Sequence, residues 1–124
     1  MINSIAILIA IIHMYIFIME SVLWGKPVAN KTFGVSPSEA EINRLFAFNQ
    51  GFYNLFLSIA IIIGIMLKNS NEVSKGTMLI DYAIASVLGA GIVLVCSRLR
   101  LWKAALVQII PALIYFLFRI LMQN

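Results

Sequence analysis

The chain has 124 residues, of which 62% are apolar or aromatic and only 11% charged; average soluble domains run at roughly 45–50% and 25%. So little polar sequence excludes a disordered chain, and it cannot coat the surface of a small soluble domain. The net charge of +4 comes from nine Lys+Arg against five Asp+Glu, scattered between apolar runs. Nucleic-acid binding needs clustered cations, so the positive-inside bias of membrane proteins accounts for them better.

Four apolar runs of about 20 residues predict four transmembrane helices, each matched to a ~30 Å hydrocarbon core. The first covers residues 2–24. Residues 1–12 hold no Lys or Arg, and no small-x-small pattern follows Glu20, so it reads as a retained helix and not as a signal peptide. Loop one, Gly25 to Arg44, is the longest and is broken up by Gly25, Pro27 and Gly34. Within it, Ser36-Pro37-Ser38-Glu39 has the form of a capping box with Pro at the first helical position. A second helix over 37–67 follows, about 46 Å long. That exceeds the bilayer, so either its first turns lie outside or along the interface, or it kinks near Gly51.

The third helix, 77–97, carries Asp81 and many small residues. Ala85 with Gly89 and Ser86 with Ala90 are small-xxx-small pairs, a packing signal. The fourth, 103–122, contains Pro111, which leaves the Val107 carbonyl without its helical donor. The expected fold is all-α: one domain, 1–124, a polytopic antiparallel four-helix bundle in the cell membrane. Cys96 alone rules out an internal disulfide and any multi-cysteine metal site.

Orientation follows the Lys/Arg count. Lys26, Lys31, Arg44, Arg98, Arg100 and Lys103 flank loops one and three; Lys68, Lys75 and Arg119 lie on the other side. Trp24 and Trp102 mark the richer boundary as interfacial anchors. Loops one and three are expected inside, and both termini outside.

Ionisable and amide side chains within spans are costly and normally face the bundle interior. Measured from the loop-one side, Glu20, Asn49, Gln50 and Gln108 lie roughly 6–8 Å deep; Tyr53, Asn54 and then His13 lie at roughly 12–17 Å. His13, Phe17, Glu20 and Trp24 fall on one helical stripe, and Asn49 with Tyr53 and Gln50 with Asn54 form i, i+4 pairs. On the fourth helix Ala104, Gln108, Ala112, Tyr115 and Arg119 share a stripe. For amides and tyrosines alone, interhelical hydrogen bonding is an adequate reading, at about 0.6 kcal/mol each. Glu20 is harder to explain so; its bland alternatives are an ion pair with Arg98 or Arg100, or snorkelling. Asp81 and Arg119 sit at similar depth near the opposite face and read as a structural ion pair.

These residues resemble the domain of unknown function 1304 family. The resemblance rests on His13-x-Tyr15-Ile16-x-x-x-Glu20-x-x-Leu23-Trp24, Phe33-Gly34, Asn49-Gln50-Gly51-x-Tyr53-Asn54-x-Phe56-Leu57 and Gln108-x-x-Pro111-Ala112. It implies a small protein with four membrane helices and no established activity, and it maps the family's shared polar positions onto His13, Glu20, Asn49, Gln50, Asn54 and Gln108. The third helix departs from the pattern: Gly91-Ile92 is followed by Val93-Leu94-Val95 where the family carries a Tyr-Gly pair.

The leading functional reading is a polar intramembrane pocket in one leaflet lined by His13, Glu20, Asn49, Gln50, Tyr53, Asn54 and Gln108, taking a small polar or cationic ligand, a lipid headgroup or a proton. A second is proton-coupled export through Glu20, by analogy of size with small multidrug exporters. A third is an enzyme using His13 as general base and Glu20 as its orienter or acid; the two residues are ~10 Å apart along the helix, so a substrate or water must bridge them, and an enzyme is the less favoured reading. A purely structural bundle is the remaining alternative. No catalytic motif, cofactor or metal is expected. Expected partners are the bilayer and a small ligand, with a homo-oligomer left open and nucleic acid not among them.

Overall fold

The computed structural model describes residues 1–122, apart from the side chain of Arg100. Regular structure among them is entirely helical. Helix α1 (Ile2–Phe17) runs directly into a π-helical turn over Ile18–Val22. Two short helices, α2 (Pro27–Phe33) and α3 (Pro37–Ile42), fill the first loop. Helices α4 (Arg44–Asn69), α5 (Val73–Ser97) and α6 (Trp102–Leu121) follow, the last two joined through a 3₁₀ turn at Leu99–Leu101.

Four segments are long and apolar enough to cross a membrane: Ile2–Val22, Arg44–Asn69, Val73–Ser97 and Trp102–Leu121. They pack against one another and make the chain an all-helical integral membrane protein. Large apolar side chains such as Ile11, Ile62, Tyr82, Val93, Leu113 and Leu117 stand exposed on these helices. A sheath of this kind is an aggregation hazard in water and the normal outer surface in lipid.

The chain forms two compact units. The first comprises Met1–Ile12 and the chain from Leu57 onward, and holds parts of all four long helices. Its core is Ala6, Ile9, Ala10, Ile61, Ile80, Ala83, Ile84, Val87, Ala112 and Tyr115. Neighbouring helices run antiparallel: Lys68 near the end of α4 donates to Asn3 Oδ1 at the start of α1, 2.9 Å away, and Ser58 Oγ donates to the Ala10 carbonyl at 2.6 Å. The second unit, His13–Phe56, contains the end of the first span, α2, α3 and the first half of α4.

Local sequence explains the breaks. Pro27 starts α2, where its missing N–H costs nothing, and Gly34 ends it in the left-handed region at φ 63°. At α3 the capping box is complete: the Glu39 N–H donates to Ser36 Oγ at 3.2 Å, and the Ser36 N–H donates to Glu39 Oε2 at 2.8 Å. The helix expected over 37–67 is divided at Asn43, and α4 begins afresh at Arg44. Asn43 Nδ2 donates to the Glu39 carbonyl at 2.8 Å, a local side-chain bond that competes with continuation of the helix. The third span starts at Val73, four residues before Thr77, after Asn71 closes α4 at φ 67°.

The small residues of α5 do not pack where the sequence spacing pointed. Ala85, Gly89 and Ala90 are exposed, and a Cβ built on Gly89 would meet nothing within 4 Å. Close approach occurs at other glycines. A Cβ on Gly64 would lie 2.5 Å from Ile80 Cγ1 and 2.8 Å from the Gly76 carbonyl oxygen; one on Gly91 would lie 2.7 Å from Ile109 Cγ1. The cause is helix phase: Gly91 lies on the buried face of α5 with Val87 and Ile84, and Gly89 does not.

Candidate functional site

In the second unit the first span ends in a turn that is one residue wider than an α-helix. The Leu23 N–H bonds the Ile18 carbonyl, five residues back, at 2.9 Å. Such π-turns are rare and concentrate at functional sites. Glu20 lies in this turn. The wider turn also takes Glu20 and Trp24 off the 3.6-residue stripe that they were expected to share with His13 and Phe17.

Helix α4 comes very close to the π-turn at Gly51. A Cβ there would collide with Ser21 Oγ and lie 3.1 Å from the Cβ atoms of both Glu20 and Ser21. Ser21 Oγ donates to the Phe48 carbonyl at 2.9 Å, and Phe17 and Phe52 pack edge to face with ring centroids 5.3 Å apart. Glycine at 51 therefore lets the two backbones meet. This approach puts Asn54, one turn further along α4 on the same face, beside the acid. Asn54 Nδ2 donates to Glu20 Oε2 at 3.0 Å and to the Gln50 carbonyl at 3.0 Å. Asn54 is buried at 6% exposure, while Glu20 is half-buried. An anchored amide thus holds a partly accessible carboxylate in the last turn of a membrane span. Arg100, one of the two cations expected to pair with Glu20, has its side chain outside the described residues.

The other expected site residues are distributed as follows. His13 is buried at 1% exposure within the second unit. Asn49, Gln50 and Tyr53 are exposed on α4, and among the described residues their side chains make no hydrogen bond. Gln108 belongs to the first unit, where its Cβ would be 3.4 Å from a Cβ added to Gly91. Among the described residues no three His, Cys, Asp or Glu side chains gather as metal ligands would.

A second polar cluster lies in the first unit. Arg119 Nε donates to Asp81 Oδ2 at 3.3 Å, and the Tyr115 hydroxyl donates to Asp81 Oδ1 at 2.7 Å. Tyr115 and Arg119 are one turn apart on α6, so both reach the same carboxylate on α5. The sequence reading placed these two on one stripe but did not connect Tyr115 to Asp81; the shared i, i+4 face was the signal available. The cluster borders an open groove also lined by Ser74, Thr77, Met78, Tyr82 and Phe116.

The family described as "Protein of unknown function (DUF1304)" matches the chain over residues 7–120, nearly its whole length. No curated protein matches the chain, and no solved structure does.

Proposed function

The chain belongs to the DUF1304 family, whose description assigns no activity, and from that premise we propose that Glu20 and Asn54 form the centre of an intramembrane site for a small cationic or donor-rich ligand. The observation that carries this reading is the 3.0 Å hydrogen bond from an immobilised, buried amide to a carboxylate in a π-turn. An acid within an apolar span is expensive to keep there, and Glu20, unlike Asp81, pairs with no cation among the described residues. Glu20 supplies the charge. Asn54, held by the Gln50 carbonyl, fixes the carboxylate and leaves its other oxygen for the ligand. The exposed Gln50 amide flanks Asn54 on α4, whereas Asn49 and Tyr53 lie by helix phase on the side away from Gly51 and Asn54 and take no part in the site; buried His13 lies seven residues before the acid on the first span.

The test is equilibrium dialysis of purified, detergent-solubilised protein against radiolabelled tetraphenylphosphonium, with methylammonium as the small, donor-rich probe. At least one of the two binds at one site per chain. Glu20→Gln keeps the side-chain volume and removes the charge, and weakens binding about tenfold or more, as loss of a charged hydrogen-bond partner predicts. Equal isotherms for wild type and Glu20→Gln, or no saturable binding of either probe, overturn the reading.

A further inference from the structure

A separate cavity of about 210 Å³ opens in the second unit, lined by Trp24, Gly25, Lys26, Ala40, Glu41 and Arg44. Its frame is fixed from several directions. Trp24 Nε1 donates to the Ala40 carbonyl at 2.7 Å, which ties the end of the first span to α3. The Trp24 ring packs on Phe33 of α2 with centroids 5.5 Å apart. Gly25, at φ 82°, turns the chain so that Lys26 stands at the N-cap of α2.

Three charged side chains meet at this cavity, two basic and one acidic. Among the described residues, Lys26, Glu41 and Arg44 make no ion pair and no side-chain hydrogen bond. On one continuous helix the i, i+3 spacing of Glu41 and Arg44 would make them neighbours. The helix break at Asn43 falls between them. Opposite charges are therefore arranged around one opening without neutralising each other. A phosphate alone would satisfy Lys26 and Arg44 but would sit against the Glu41 carboxylate. A simple cation would be attracted by Glu41 and repelled by the other two. A group that carries phosphate and ammonium together complements all three.

The setting names the carrier of that group. Trp24 lies two residues beyond the end of the first span at Val22, and Arg44 opens the second span, which is the level of lipid headgroups. Adjoining residues Ile42, Leu45 and Phe46 are 77%, 75% and 74% exposed, apolar surface of the kind that acyl chains cover. We propose that this cavity binds the headgroup of a zwitterionic membrane lipid, with Arg44 and Lys26 on the phosphate and Glu41 on the ammonium. The site is independent of Glu20 and Asn54.

Native mass spectrometry of the detergent-solubilised full chain with an equimolar mixture of dioleoyl phosphatidylethanolamine and dioleoyl phosphatidylglycerol tests it. The wild type retains one lipid, with the ethanolamine lipid preferred about fivefold, the limit expected from one accessible charge pair. Glu41→Gln removes the preference, while Lys26→Gln combined with Arg44→Gln weakens retention of both lipids. Glu20→Gln leaves the adduct pattern unchanged, so this result stands apart from the test of the intramembrane site. All three side chains are exposed, so none of these substitutions removes core packing. A preference for the glycerol lipid, or a preference that survives Glu41→Gln, overturns the assignment. So does free phosphoethanolamine competing as effectively as the lipid, because the ligand is then not lipid-borne.

Discussion

Asn54 and Glu20, 34 residues apart in the chain, meet through a 3.0 Å hydrogen bond, and the Asn54 amide is held in place by a second 3.0 Å bond to the Gln50 carbonyl. The second bond matters as much as the first. It fixes the amide on its own helix, so little side-chain entropy is lost when the carboxylate is engaged.

The strength of this pair distinguishes a site from simple helix association. Neutral side-chain hydrogen bonds between membrane helices average about 0.6 kcal/mol, whereas bonds to charged groups are worth about 1.5–3 kcal/mol. A double-mutant cycle of Glu20→Ala and Asn54→Ala, read from unfolding in mixed detergent, is expected to return a coupling of about 1.5 kcal/mol. A coupling at the neutral average would remove the case for a charged acceptor.

Gly51 is predicted to tolerate no side chain. A Cβ there would run into Ser21 Oγ and crowd the Cβ atoms of Glu20 and Ser21, and overpacking of a tight contact costs about 1–3 kcal/mol. Gly51→Ala should lower the melting temperature and weaken probe binding at Glu20. Adding Ser21→Ala should recover part of the stability, since the nearest obstacle is the Ser21 hydroxyl, although its bond to the Phe48 carbonyl is then lost. Thermal melts of the two variants beside wild type decide this. Equal stability of Gly51→Ala and wild type would show that the helices can part without cost.

The sequence carried the four spans, because apolar runs of membrane length have few other interpretations. It also carried the α3 capping box, whose reciprocal bonds depend only on residue types three apart. Three features were not legible. The π-turn depends on which carbonyl Leu23 bonds, and the residue types at 18–22 do not specify that choice. The division at Asn43 depends on its side chain choosing the Glu39 carbonyl, which many helical asparagines do not do. The role of Tyr115 depends on the relative height of α5 and α6, which no single-helix pattern contains. Of the candidate site, the acid was visible from its cost in lipid, but its partner among Asn49, Gln50, Tyr53 and Asn54 was not, since i, i+4 pairing favours two faces equally.

Asp81, Tyr115 and Arg119 are predicted to contribute stability in unequal parts. Asp81 and Arg119 are 31% and 26% exposed, so their attraction is partly screened, and Arg119→Gln should cost no more than about 1 kcal/mol. Asp81→Ala removes the acceptor for the buried Tyr115 hydroxyl as well, and should cost about 1–3 kcal/mol more. Tyr115→Phe deletes one hydroxyl bond to the Asp81 carboxylate and should cost about 1.5–3 kcal/mol. Raised salt should narrow the Arg119→Gln difference and leave that of Tyr115→Phe unchanged. Chemical denaturation at two ionic strengths separates the contributions, and a salt-sensitive Tyr115→Phe difference would contradict this division.

Glycines 64, 76 and 89 supply the last contrast. Gly64 and Gly76 bring α4 and α5 together: a Cβ on Gly64 would lie 2.8 Å from the Gly76 carbonyl oxygen, and one on Gly76 would lie 2.7 Å from the Lys68 backbone nitrogen. Backbone atoms cannot swing aside as side chains can, so Gly64→Ala and Gly76→Ala should each destabilise by about 1–3 kcal/mol. At Gly89 a methyl group meets open space, and the higher helix propensity of alanine should stabilise by up to about 1 kcal/mol. Opposite signs for chemically identical substitutions, measured as melting shifts under one condition, are the expected result. Destabilisation by Gly89→Ala would mean that a surface covers this face of α5, and cross-linking of a cysteine placed at Ala85 would then show whether a second copy of the chain provides it.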